Sequence, residues 1–266
     1  MTSSKPALQI IQNYFKRVGR SLAGKPDLNL PEVQVRPPEL IVSDLCQIPQ
    51  SDWWAYAFSR EPMNGRFQDD ERKSLYEEAF RCGTQEAEKI LAEYGELSAE
   101  ELARKLGMDV QFPEMPQSRA RILFAEFAEP KTIRVYKDSL RKGNLLLNRP
   151  EIRDHLGEDI RIEDILIGHE LFHVLELRNP QIYTKSHRIS LWKIGKLENL
   201  SPVAVLSEIA AMAFSARLNN LEYSPFVMDA FLVYGYSPQA ASALYEEMMK
   251  AAGRKVSYAK AGVIAA

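Results

Sequence analysis

The sequence predicts an α+β fold, mainly helical with a small antiparallel sheet. Three observations carry that expectation. Long stretches repeat apolar residues at helical spacing and end in capping signals. Strand-forming runs cluster between 109 and 137, on either side of Pro130. Ser-Pro occurs at Ser201, Ser224 and Ser237, and each pair can cap a helix with serine and open it with proline.

In chain order, a first helix is expected over 7–20, where Leu8, Ile11, Tyr14, Phe15 and Val18 share a face. "KPDLNLPEVQVRPPEL" then reads as an extended linker, because each proline fixes its own φ and pushes its predecessor out of the helical region. Residues 1–60 are therefore expected as an N-terminal extension wrapping a main body at 61–266. Within it, "SDWWAYAF" at 51–58 is too aromatic to be left in water and is expected to dock on the core.

A long amphipathic helix is expected from Asp69 to about Tyr94, closed by Gly95. In "LSAEELARKLGM", Ser98 and Glu101 have capping-box spacing and Gly107 ends the helix. This piece is similar to the first helix of a helix-turn-helix, but strand-like "DVQF" stands where a recognition helix would begin. "RILFAEFAE" (121–129) and "TIRVYK" (132–137) are expected as a hairpin or two neighbouring strands. "NLLLN" (144–148) fits either strand or helix. A helix over 162–178 stops before Pro180, and the Ser-Pro helices run roughly 202–218, 225–234 and 238–252.

Bulk properties exclude several classes of function. The 266 residues suffice for one large domain or two small ones. Hydrophobic residues at 45% and charged residues at 26% describe a globular chain. Net charge is −2, from 34 basic and 36 acidic residues, so no global basic excess points to nucleic acid and direct binding of it is not expected. No run of 18 uncharged apolar residues exists, so no membrane partner is expected. The start has no apolar core of a secretory signal, and Cys46 and Cys82 are far apart without CxxC spacing. Reduced thiols and a cytoplasmic location are expected.

The chemistry is concentrated in "ILIGHELFHVLEL", residues 165–177. Residues four apart on a helix lie one turn above the other, so His169 and His173 can aim two imidazoles at one point. Zinc accepts imidazole at about 2.0–2.1 Å in tetrahedral geometry. Glu170 sits one residue round, off the ligand face, where it can reach a water rather than the metal, as a general base must. The helix is apolar on most sides and therefore buried. Unpaired imidazoles there would be costly, and a metal satisfies them.

A catalytic zinc takes three protein ligands. Glu176 and Asn179 stand where the extended HExxHxxGxxH pattern needs glycine and histidine, so that class is excluded. Glu208 is the leading third ligand, a lone acid in "SPVAVLSEIAAMAFSARL", where Ala210 and Ala211 allow close helix approach. Glu176 and His187 are the rivals. Glu176 lies one turn beyond His173 and is expected to accept a hydrogen bond from a ligand imidazole. His187, Tyr183 and Tyr223 are candidates to touch the substrate or its oxyanion, and His155 is expected on the surface.

These residues resemble the ImmA/IrrE family of metallopeptidases. The likeness runs from about Leu97 to Leu218: "LSAEELARKLGMDVQF", "TIRVY", "GHELFH" and "EIAAMAF". The family usually has a small residue where Phe172 stands, and a shorter stretch than the one around 180–200. The resemblance implies a zincin-like metallopeptidase domain; it does not extend to 1–95 or 219–266, and the domain is expected to occupy the body at 61–266 together with the C-terminal helices. It implies Zn2+ on His169, His173 and Glu208, with Glu170 as catalytic acid/base.

The function expected is a cytosolic zinc-dependent metallopeptidase acting on a peptide or protein substrate. The peptide would lie antiparallel to a strand edge, with "TIRVY" as the candidate edge. The alternative is a non-catalytic metal-binding regulator that acts by binding a partner such as a repressor or other transcriptional regulator. A fourth protein ligand on the metal would favour the alternative.

Overall fold

The computed structural model describes residues 33–114, 123–194 and 197–257. The helix expected over 7–20 lies outside them. The first described helix, α1 (Pro38–Cys46), starts with a proline at its first position, where the missing N–H costs nothing. A 3-10 turn at Gln50–Trp53 leads into α2 (Trp54–Phe58). Trp53, Tyr56, Ala57 and Phe58 are fully buried. The Trp53, Tyr56 and Phe226 rings pack with centroids 5.5–5.6 Å apart. The described part of 1–60 thus lies within the main core and is not laid over it.

The amphipathic pattern from Asp69 produces α3 (Asp69–Tyr94), closed by Gly95 at positive φ. Next, α4 (Ala99–Lys105) has the full capping box: Ser98 Oγ accepts from the Glu101 N–H, and the Glu101 carboxylate accepts from the Ser98 N–H. Strands β1 (Asp109–Gln111), β2 (Ala125–Ala128) and β3 (Thr132–Val135) form one sheet in the order β1-β3-β2. The β2–β3 pair is antiparallel, with Ala125 opposite Val135 and Ala128 opposite Thr132, while β1 adds a parallel strand. "TIRVY" is thus the middle strand, with Ile133 and Val135 fully buried, and has no free edge. The outer strand on the cleft side is β2.

Helices α5 (Lys137–Leu147) and α6 (Pro150–Leu156) follow; "NLLLN" is the end of the first. The motif helix is α7 (Ile162–Arg178). The stretch 180–202 is a short helix, α8 (Tyr183–Ser186), and an antiparallel hairpin, β4 (Arg188–Ile194) with β5 (Leu197–Pro202). Ser201 and Pro202 are strand residues opposite Ile189 and Arg188, so they do not open a helix.

Helix α9 (Val205–Leu218) begins three residues later. Its first N–H is capped by Glu61, whose Oε2 accepts from Val205 at 3.0 Å. Helices α10 (Val227–Tyr234) and α11 (Pro238–Ala251) complete the chain, and Ser237 caps α11 as expected. Among the described residues no helix is long and apolar enough to cross a membrane.

Two apolar clusters flank the α7–α9 pair. Ile162, Ile165, Leu206 and Ile209 face the larger one, with α1, α2, α10 and α11. Leu171, Phe172, Ala210 and Phe214 face the smaller one, with α3, α4 and the sheet. Helices covered on both sides need apolar residues all round, which is why neither shows a narrow stripe. The pair is packed tightly against α3 at Gly83, where an added Cβ would sit 2.0 Å from the Ala210 carbonyl oxygen on α9. The obstacle is backbone, so it cannot rotate away. Gly83→Ala should cost at least about 1–3 kcal/mol of stability, the usual penalty of overpacking. Urea unfolding measures it, and an unchanged midpoint would contradict the packing.

Candidate metal centre

Helices α7 and α9 run antiparallel. Ser215 Oγ donates to the Ile165 carbonyl at 2.7 Å and Asn219 Nδ2 to the Asp164 carbonyl at 3.2 Å, tying the start of α7 to the end of α9. Gly168 faces Ser215, where a Cβ would come within 3.1 Å of Oγ. Small residues at this seam let the side chains further along meet.

There His169, His173 and Glu208 converge. The two Nε2 atoms are 3.2 Å apart. Glu208 Oε2 is 3.4 Å from His169 Nε2, and Oε1 is 3.5 Å from His173 Nε2. All three side chains are 13–17% exposed, and Glu208 Oε1 is buried with no hydrogen-bond partner. Lone-pair donors this close repel unless a proton or a metal cation sits between them. Donors at about 2.0–2.1 Å from a tetrahedral zinc are about 3.3–3.4 Å from one another. The observed separations are close to that value, with each imidazole nearest a different oxygen of the Glu208 carboxylate, and the orphaned Oε1 is an atom such an ion would satisfy.

The charges agree with a site built for a cation. Burial pushes the Glu208 carboxyl up, but the His169 contact and the charge of both imidazoles hold it below the usual carboxylate range. Burial alone would lower His173; the neighbouring Glu176 carboxylate and the charges of Glu208 and Glu170 raise it to about 9. Glu170 is pushed above the usual range by burial, opposed by His169 and His173, with the Phe127 backbone of β2 beside it.

Glu176 faces the other nitrogen of His173, with Oε2 3.7 Å from Nδ1. Ser207 Oγ lies 3.2 Å from Nδ1 and donates to Glu176 Oε2 at 2.9 Å, while Thr184 Oγ1 donates to Oε1 at 2.5 Å. Glu176 is therefore committed to orienting His173 and is not a fourth ligand. Ser207 and Thr184 escaped the sequence reading, since isolated hydroxyls carry no spacing signal.

A cavity of about 700 Å³ opens on the centre, and Glu170 and Asp229 both line it. Asp229 was also missed, although it is a lone acid in the apolar run "FVMDAFLV", the signal that singled out Glu208. Its Oδ2 accepts from the Tyr56 hydroxyl at 2.7 Å, with Arg60 Nη2 at 3.9 Å. Burial raises its carboxyl, and Arg60 opposes the shift.

Three expected substrate contacts lie elsewhere. Tyr183 and His187 pack ring against ring, centroids 5.1 Å apart, and neither lines the cavity. Loop polarity suggested His187, but the chain after α8 leads straight into the hairpin. Buried Tyr223 donates to the Leu156 carbonyl at 3.2 Å. His155 is exposed, as expected.

A metal needs the neutral imidazole, so it must displace the proton that His173 holds up to about pH 9. Zinc affinity should rise with pH towards that value, and binding at pH 7 should release a proton that is no longer released above it. Calorimetric titration in buffers of different ionisation heat counts these protons. A count that does not change with pH would contradict the assignment.

Comparison of the chain with protein-family models, with curated proteins and with solved structures finds no match in any of the three. The case for the centre rests on its own donors and their spacing.

Proposed function

We propose that the protein is a zinc-dependent metallopeptidase, of the kind implied by the resemblance to the ImmA/IrrE family. The observation that carries the reading is the convergence of His169, His173 and Glu208 on one point beside the Glu170 carboxylate, in a cavity bordered by an outer strand. Two imidazoles and one carboxylate are a donor set suited to zinc with one position left open.

Bound there, zinc would supply a Lewis acid for the scissile carbonyl and an acidified water. The remaining work falls to the chain. Strand β2 offers its outer edge to an extended peptide, as the middle strand β3 does not. Glu170, its carboxyl raised by burial, takes a proton as the water oxygen bonds to the carbonyl carbon. It returns that proton to the leaving nitrogen as the C–N bond breaks. Glu176 and Ser207 hold the His173 ring in place meanwhile.

The second reading, a metal-binding regulator without catalysis, needs the open position filled by protein. Among the described residues only His169, His173 and Glu208 form a metal-holding group. Glu176 is committed elsewhere and His187 is off the cavity, which favours the peptidase.

Glu170→Gln should keep one zinc per chain and lower peptide hydrolysis by about 10²–10⁴-fold. Elemental analysis and a cleavage assay read the two quantities. Undiminished turnover, with metal bound, would sink the assignment.

A further inference from the structure

The cavity has two unlike ends. Its wall follows α7 from Ile165 to Leu177, about 18 Å of helix. At the Ile165 end lie Phe124, Pro225, Met228 and Leu232, with Asp229 held by Tyr56 and Arg60. At the Leu177 end lie Pro180, Lys185 and Arg188. The Lys185 and Arg188 side chains make no ion pair or hydrogen bond among the described residues. The acids at this end are Glu129 and Glu176. Glu176 is taken up by Thr184, Ser207 and His173. Glu129 and Glu176 match the two cations in number, but Glu176 is turned into its own hydrogen bonds, so Lys185 and Arg188 are, among the described residues, the unpaired charges that this end presents to a ligand.

The strand fixes which end of a peptide meets which wall. Ala128, the last residue of β2, is level with Thr132 and, through it, with Asp109. Arg178, the last residue of α7, donates to the Leu106 carbonyl at 2.8 Å and approaches Met108 Sδ at 3.4 Å, beside Asp109. At the other end, α5, which follows Val135 opposite Ala125, packs its Gly143 against Ile162, the first residue of α7. So β2 and α7 run in the same direction. A peptide added antiparallel to β2, the more stable pairing, therefore has its amino-terminal half at the Leu177 end.

We propose that Lys185 and Arg188 select peptides with acidic side chains on the amino-terminal side of the bond to be cut. The inference rests on the peptidase reading for which bond that is. The orientation of the bound peptide can be tested without turnover.

The experiment uses zinc-loaded Glu170→Gln protein and two fluorescent peptides of equal composition. One has Asp and Glu in its amino-terminal half and apolar residues in its carboxyl-terminal half; the other has the halves exchanged. Anisotropy should show the first bound about three- to tenfold more tightly, the range of one or two partly exposed ion pairs. High salt should remove the advantage. Lys185→Glu with Arg188→Glu should transfer the preference to a peptide with Lys and Arg in its amino-terminal half. Lys185→Gln with Arg188→Gln should abolish preference in both directions while zinc content stays the same. Equal binding of the two peptides, binding of neither, or a preference that survives charge reversal would overturn the proposal. The predicted preference in Glu170→Gln, with no cleavage by the unaltered protein, would instead overturn the peptidase reading and leave the selection intact.

Discussion

Three electron-pair donors forced to face one another in a poorly solvated seam are the constraint on which the rest of the structure depends. Two imidazole nitrogens 3.2 Å apart, each 3.4–3.5 Å from a different oxygen of one carboxylate, are not a low-energy grouping by themselves. They hold together only around positive charge, and the surrounding charges supply it in part: His173 is pushed towards its protonated form by Glu176, Glu208 and Glu170. A divalent ion meets the same need more completely, because it also satisfies the orphaned Glu208 Oε1.

The architecture serves that convergence. Gly83 lets α3 press on the Ala210 backbone, and Gly168 lets α7 lie against Ser215 on α9. Glu61 reaches across 144 residues to cap the first turn of α9, one turn ahead of Glu208. Apolar clusters on both sides of α7 and α9 hold the pair in register. Helix α8 contributes through Thr184, which fixes Glu176 and so the ring of His173. Fold and site are coupled through these few contacts, and a change in helix spacing would be felt directly at the donors.

Much of this was legible in the sequence where the periodicity of one element suffices. Helix geometry alone puts His169 and His173 on one face. The isolation of Glu208 in an apolar run marked it as needing a partner, and the capping box at Ser98 fixed the start of α4. What stayed hidden depends on tertiary placement. Strand order is not written in a strand's own residues, so "TIRVY" passed for an edge when it is the middle strand. The hairpin at 188–202 was unreadable because its register shifts between Ser190 and Trp192, which breaks the period-two alternation. Ser201 and Pro202 mimic a helix start because the motif is local, while their pairing with β4 is not. Asp229 carries the same signal as Glu208, a lone acid in an apolar run.

Zinc K-edge absorption spectroscopy of the metal-loaded protein tests the central claim most directly. The account predicts four nitrogen or oxygen scatterers at about 2.0–2.1 Å, two with the outer-shell signature of imidazole. It also predicts that this shell changes in Glu208→Ala. A sulfur scatterer near 2.3 Å, a six-oxygen shell, or a spectrum untouched by the loss of Glu208 would contradict it.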